Sequence, residues 1–249
     1  MSHTLDHKVA VIVGGTGGIG AATAHRLALS GACVVVVGQD DLSHARAVAE
    51  SLPGEGHCAA LASITGSTTL NELADTVRGH YGRADILVNA AGFTQPVKHD
   101  NLDALTDELI DDMFKVNWRG QFAAIRAFRA LLAESGDGLV VNVSSISATT
   151  GIGSNIAYCG AKAGLDIMAA SLGRALAPQI RVMNVSPGVV DTTFVPGRGA
   201  DFNDKVAATT PLGRIGTPDD IAAAVEACAT HLTFTTGVTL VVDGGRRLG

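Results

Sequence analysis

The chain has 249 residues, of which 47% are hydrophobic and 17% charged, with 30 glycines and a net charge of 18 − 24 = −6. So apolar a composition excludes a disordered or coiled-coil chain and suits a parallel sheet buried on both faces. The negative balance, with no run of Lys or Arg, argues against nucleic acid or an anionic membrane as partner.

Polar Met1–His7 leads straight into an apolar strand and leaves no space for a signal peptide. The longest strand-like apolar run, Ala32–Val37, is too short to cross a bilayer, so a cytoplasmic location is expected. Seven short apolar, mostly β-branched runs follow: Val9–Val13, Val34–Val37, Cys58–Ala62, Ile86–Val88, Leu139–Val143, Arg181–Val185 and Thr239–Val242. Between them, apolar residues recur every three or four positions at about 18–29, 41–51, 67–80, 103–115, 118–134, 158–177 and 217–230, the period of helices. Strand and helix in alternation predict one doubly wound, Rossmann-like α/β domain spanning 1–249, with a seven-stranded parallel sheet and helices on both faces. A Gly- and Pro-containing stretch at about 192–210, around Phe194 and Phe202, reads as a loop-helix insertion. It would lie over the carboxyl ends of the strands, where such folds bind ligands, and so serve as a substrate lid. Cys33, Cys58, Cys159 and Cys228 are scattered and read as reduced packing residues, and no metal site can be assembled from the histidines.

Directly after the first strand comes Gly14-Gly15-Thr16-Gly17-Gly18-Ile19-Gly20. Glycines let backbone approach a ligand closely and bring a helix N-terminus against a pyrophosphate, so this turn is a candidate dinucleotide site. An ordinary strand-to-helix turn is the plainer alternative. The G-x-x-x-G-x-G spacing on Gly14, Gly18 and Gly20 is the first of an ordered set. Asn89-Ala90-Ala91-Gly92, Asn117, Ser144-Ser145, Tyr158-x-x-x-Lys162, Ser186-Pro187-Gly188 with Thr192, Pro211-Leu212-Gly213-Arg214 and Val242-Asp243-Gly244-Gly245 follow. In this order, over essentially the whole chain, the set resembles the short-chain dehydrogenase/reductase family.

That resemblance implies a nicotinamide-dependent oxidoreductase interconverting a carbonyl and an alcohol. Its cofactor cradle would comprise Gly14, Thr16, Gly17, Gly18 and Ile19, then Gly38 and Gln39, Ser63 and Ile64, Asn89, Ala90, Ala91 and Gly92, and Pro187, Gly188, Val190 and Thr192. Tyr158 and Lys162 would complete it. Three positions depart from the family pattern, all in this cradle: Val13 for a threonine, Ala90 for a second asparagine, and Ser63 for an aspartate. Each removes one potential hydrogen bond, about 1 kcal/mol net.

The implied catalytic set is Asn117, Ser145, Tyr158 and Lys162. A free tyrosine has a pKa near ~10, too high to exchange protons readily at neutral pH. Four residues apart on one helix, Tyr158 and Lys162 share a face, so an ammonium can stabilise the phenolate. By analogy with the family, Lys162 also reaches the nicotinamide ribose and Asn117 holds a water joining Lys162 to solvent. Ser145 would bind the substrate oxygen, and the substrate wall would comprise Ile146–Asn155, Phe93–Val97 and the 192–210 insertion, offering Phe93, Ile152, Phe194, Val195 and Phe202. An uncharged, fairly apolar ketone or a 3-oxoacyl thioester is the expected substrate. At the end of the second strand neither an acid nor an arginine selects the cofactor; Gly38 brings no repulsion and Gln39 can donate, which favours NADP(H) over NAD(H). The family further implies a homotetramer. Two other readings stay open on the sequence: a non-catalytic dinucleotide-binding regulatory protein, and an isomerase or lyase on the same fold.

Overall fold

A computed structural model describes residues 4–196 and 201–248. Among these, seven parallel strands form one sheet, β1 (Val9–Val13), β2 (Cys33–Gly38), β3 (Cys58–Leu61), β4 (Ile86–Asn89), β5 (Gly138–Val143), β6 (Ile180–Pro187) and β7 (Thr239–Val242), in the spatial order β3-β2-β1-β4-β5-β6-β7. The chain winds outward from β1 to β3, then returns to place β4 on the other side of β1. A crevice opens above that reversal.

Alternation along the strands explains both faces. In β1, Val9, Val11 and Val13 point into one core with Leu70, Val77, Phe128 and Leu165, while Ala10 and Ile12 point into a second with Leu27, Ala45, Ile221 and Val225. The first core packs beneath α3 (Ser67–Tyr81), α5 (Gln121–Glu134) and α7 (Ile156–Ala175), and the second beneath α1 (Gly18–Leu29), α2 (Leu42–Glu50) and α9 (Pro218–Thr230). Full burial of a Val or Ile stabilises by about 1.5–3 kcal/mol, which explains why the central strands are valine-rich without polar alternation.

Two helical expectations need correction. The stretch 103–115 is not one helix: a 3₁₀ turn at Leu102–Ala104 ends before α4 (Asp107–Phe114), where the Thr106 side chain caps the Leu109 N–H. Nor does a new helix begin at 118, because α4 continues through a π-helical turn at Lys115–Gly120 into α5. Gly120 lies in that turn, where an added Cβ would be 2.6 Å from the Ile64 carbonyl oxygen. Within the expected 192–210 insertion, α8 (Phe202–Ala208) is a short helix, and residues 197–200 lie outside the described set. The short helix α6 (Ser147–Thr150), not expected from periodicity, follows β5. All four cysteines are free, and burial pushes the Cys228 thiol up to about 11.

Candidate active site

The first turn is shaped by what cannot fit beside it. Gly14 has φ +83°, and a Cβ there would lie 2.5 Å from the Ala91 nitrogen; a Cβ on Gly20 would run into the Gly14 carbonyl oxygen. The turn is thus wedged between β4's outgoing chain and α1. Gly17 caps α1 without any side-chain hydrogen bond, and Gly17, Gly18, Ile19 and Gly20 line a cleft of about 1080 Å³. Bare N–H groups at a helix N-terminus facing a cleft suit the pyrophosphate of a dinucleotide.

Beneath the cleft, the carboxyl ends of three strands are joined by amide side chains. Asn89 donates to Asn142 at 2.9 Å and Asn142 to Asn184 at 2.9 Å, all three fully buried and in register across β4, β5 and β6. Asn184 then donates to Asp166 at 2.9 Å, and the Ser144 hydroxyl donates to the same carboxylate oxygen at 2.6 Å. Asn89, expected in the cofactor cradle, therefore directs its side chain into the sheet rather than the cleft.

Above this row stand the residues expected to do chemistry. Asn155 caps α7, its side chain accepting from the Tyr158 N–H at 2.6 Å while donating to the Gln95 carbonyl at 2.8 Å, so Tyr158 begins its helix at a fixed point. The Lys162 ammonium lies 5.7 Å from the centre of the Tyr158 ring, and both residues line the cleft. Lys162 is 3% exposed and donates to the Val143 carbonyl at 2.7 Å. Burial pulls its pKa down to about 8, and the nearby Asp166 carboxylate opposes that fall. Ser145 also lines the cleft; its hydroxyl donates to Ser147 Oγ and accepts from the Ser147 N–H, each at 3.1 Å. Tyr158, Lys162 and Ser145 thus meet in one cavity with the glycine turn.

Asn117 behaves differently. It is fully buried in the π-helical turn, donates to the Phe93 and Met113 carbonyls at 2.8 and 3.0 Å, and accepts from the Phe93 N–H at 3.2 Å. Its side chain clamps the segment after Gly92 and is committed there.

The remaining expected residues divide into two groups. Ala90, Gly92, Pro187, Gly188, Val190, Thr192, Ile152 and Phe194 line the cleft. Thr192 packs on the turn, since a Cβ on Gly18 would meet its methyl at 2.9 Å, and the Phe194 ring lies 6.2 Å from that of Tyr158. Gly14, Thr16 and Ala91 form the turn's outer wall without lining the cavity, and Phe93, although 37% exposed, does not line it either. Gly38 ends β2 with Gln39 and Asp40 exposed beyond it; Asp41 is occupied as the α2 cap, its carboxyl held below the usual range by the Ser43 hydroxyl and the His44 N–H. Ser63 is bound to Thr65 and Thr69 side chains after β3, and Ile64 is buried in the first core, both away from the cavity. Ser147, Thr149, Thr150 and Ser154, within the expected wall Ile146–Asn155, line it too, while Arg246 and Arg247 line it without having been expected. The arginines reach the cleft only once β7 is placed beside β6.

A family profile described as Enoyl-(Acyl carrier protein) reductase matches residues 14–247. The chain belongs to the short-chain dehydrogenase/reductase family. A Streptomyces violaceoruber protein described as ketoacyl reductase 2 of the granaticin polyketide synthase is 36% identical over 242 residues, covering 96% of each chain. The cis-4-hydroxycyclohexanecarboxylate dehydrogenase of Sinomonas cyclohexanicum is 34% identical over 98% of each. A Burkholderia xenovorans crystal structure described as a short-chain dehydrogenase/reductase superposes with a TM-score of 0.91 at 33% identity, covering 97% of this chain and 98% of that one. Like its short-chain dehydrogenase/reductase relatives, the protein is an NAD(P)-dependent oxidoreductase interconverting a carbonyl and an alcohol. The regulatory and isomerase or lyase readings are not favoured. Among the described residues no helix is long and apolar enough to cross a membrane.

Proposed function

We propose that this enzyme reduces a ketone, or oxidises the matching alcohol, with Tyr158 as the proton-transferring group and NADP(H) as the preferred nicotinamide. The observation that carries the reading is the convergence of Tyr158, Lys162, Ser145 and the glycine turn on one cleft. The bound nicotinamide supplies or accepts the hydride.

The chain's own residues do the rest. Gly17, Gly18 and Ile19 hold the pyrophosphate with backbone N–H groups, and Pro187, Gly188, Val190 and Thr192 wall the nicotinamide end. Lys162, charged below about pH 8, favours the phenolate form of Tyr158 through the 5.7 Å separation and can meet the nicotinamide ribose. Tyr158 gives its proton to the developing alkoxide in reduction and takes it back in oxidation. Ser145, which accepts from the Ser147 N–H, turns its proton from Ser147 Oγ to the substrate oxygen and keeps that oxygen beside the phenol. Asn117 acts as a positioning residue, fixing the Gly92–Phe93 backbone at the mouth of the cleft.

The relatives' ketoacyl and hydroxycycloalkane substrates make a 3-oxoacyl thioester or a ring ketone the first candidates. Gly38 and the exposed Gln39 leave room for a 2′-phosphate, and the one carboxylate capping α2 is already engaged. Exposed Ile167 on α7 and Phe114 on α4, with the open edge at β7, support a homotetramer. A panel of ketones and alcohols, followed at the NAD(P)H absorbance band with each nicotinamide, tests the reading. Reduction of a 3-oxoacyl thioester or ring ketone with faster turnover on NADPH is expected, and turnover on NADH alone would overturn the cofactor preference.

A further inference from the structure

We infer that Arg246 and Arg247 form an anion-binding end of the substrate cleft, so that the substrate carries a carboxylate or phosphate away from its reacting carbon. The inference builds on the assignment of this cleft to a carbonyl or alcohol substrate and replaces the expectation of an uncharged one. Among the described residues, three cationic side chains, Lys162, Arg246 and Arg247, line the cavity, and no Asp, Glu or His does. In a chain of net charge −6 that imbalance is not the general background.

Lys162 is buried and bound to the Val143 carbonyl, which leaves the two guanidiniums to set the charge of the outer cleft. Arg246 donates to the Thr209 hydroxyl at 3.0 Å and, weakly, to the Val206 carbonyl at 3.5 Å, both neutral acceptors at α8. Among the described residues neither arginine makes an ion pair through its side chain. The nearby Asp243 carboxylate is turned to the backbone N–H groups of Gly245 and Arg247 at 2.9 and 3.0 Å.

Backbone geometry fixes the pair on the lid side. Gly244 and Gly245 have φ +64° and +84°, conformations that fold the tail back over 210–212, and the Leu212 N–H donates to the Gly244 carbonyl at 3.1 Å. The pyrophosphate already has the α1 N-terminus, so the anion these arginines await belongs to the substrate. A planar guanidinium lacking a carboxylate partner is the preferred receptor for a carboxylate or phosphate, and charge-assisted bonds of this kind are the strong ones.

The test is calorimetric titration of charged and neutral pairs into nicotinamide-saturated protein in the Tyr158→Phe background, which reads the anion site whether or not hydride transfer occurs. One pair is 4-oxocyclohexanecarboxylate and its methyl ester; the other is the acetoacetyl thioester of coenzyme A and that of N-acetylcysteamine, which lacks the phosphates. Preference of about tenfold or more for the charged member is expected in at least one pair, the first indicating a carboxylate and the second a phosphate. Arg247→Gln, whose exposed side chain makes no bond that folding needs, should cut that preference severalfold, and the double Arg246→Gln/Arg247→Gln variant should abolish it, with affinity for the nicotinamide unchanged. Equal binding within both pairs, or a preference that survives the double variant, would overturn the inference while leaving the oxidoreductase reading intact.

Discussion

Replacing Asn142 by leucine should weaken the sheet at the point where it carries the site. The substitution keeps a branched side chain of similar shape but leaves two fully buried groups without partners, the Asn89 amide N–H and the Asn184 carbonyl oxygen, each now satisfied at 2.9 Å. A buried orphan costs about 1–3 kcal/mol, so the pair should cost about 2–6 kcal/mol. The loss should reach function too, because the next residue, Val143, supplies the carbonyl that holds Lys162. Urea unfolding followed by circular dichroism measures the first effect, through a lower midpoint at an unchanged slope. Turnover at a saturating substrate concentration measures the second, with the maximal rate falling more than the Michaelis constant rises. A midpoint shift equivalent to less than about 0.5 kcal/mol would show that water or a rearranged amide replaces the row, and would refute its assigned role.

Two further outcomes follow from the geometry. Gly14→Ala forces a side chain into a φ of +83° and against the Ala91 nitrogen; left-handed strain of about 1–2 kcal/mol and overpacking of about 1–3 kcal/mol should lower the unfolding midpoint and the affinity for the nicotinamide together. Fluorescence titration with NADPH measures the latter, and undiminished affinity would show that the turn can shift at no cost. For Lys162 the sign follows from proton counting: its folded pKa of about 8 lies below its ordinary value of 10.5, so between those values the unfolded chain binds more protons and stability rises with pH. The rise amounts to about 3 kcal/mol at most. Compared with Lys162→Met across pH 8 to 10.5, the parent protein should gain stability relative to the variant, and parallel stability curves would contradict the burial of a charged lysine.

The central strands were legible because valine and isoleucine runs buried on both faces need no context, and β1 and β7 match their expected bounds residue for residue. The ends drifted where a neighbour sets the limit: Gly38 pairs because β3 lies beside it, and Asn89 because β1 and β5 flank it. The π-helical turn was not legible, since its apolar spacing differs from that of an α-helix by one residue in a few. Tyr158 and Lys162 were readable from a four-residue interval, which fixes their shared face without tertiary information. The direction of the Asn89 side chain depends on strand register, and the Asn89–Asn142–Asn184 row exists only when three distant strands align. Arg246 and Arg247 directly follow the Val242–Gly245 signature, but the fold-back of that tail over residues 210–212, which brings them to the cleft, is a tertiary fact.

A single-turnover experiment on Tyr158→Phe, mixed with a reducible ketone after saturation with NADPH, addresses the phenol's role most directly. The ring stays in place at the cleft wall, so the nicotinamide should bind within about twofold of its parent affinity while the oxidation step slows by about 10²–10⁴, the contribution of a positioned acid. A rate within threefold of the parent, with cofactor binding intact, would mean that the proton comes from elsewhere.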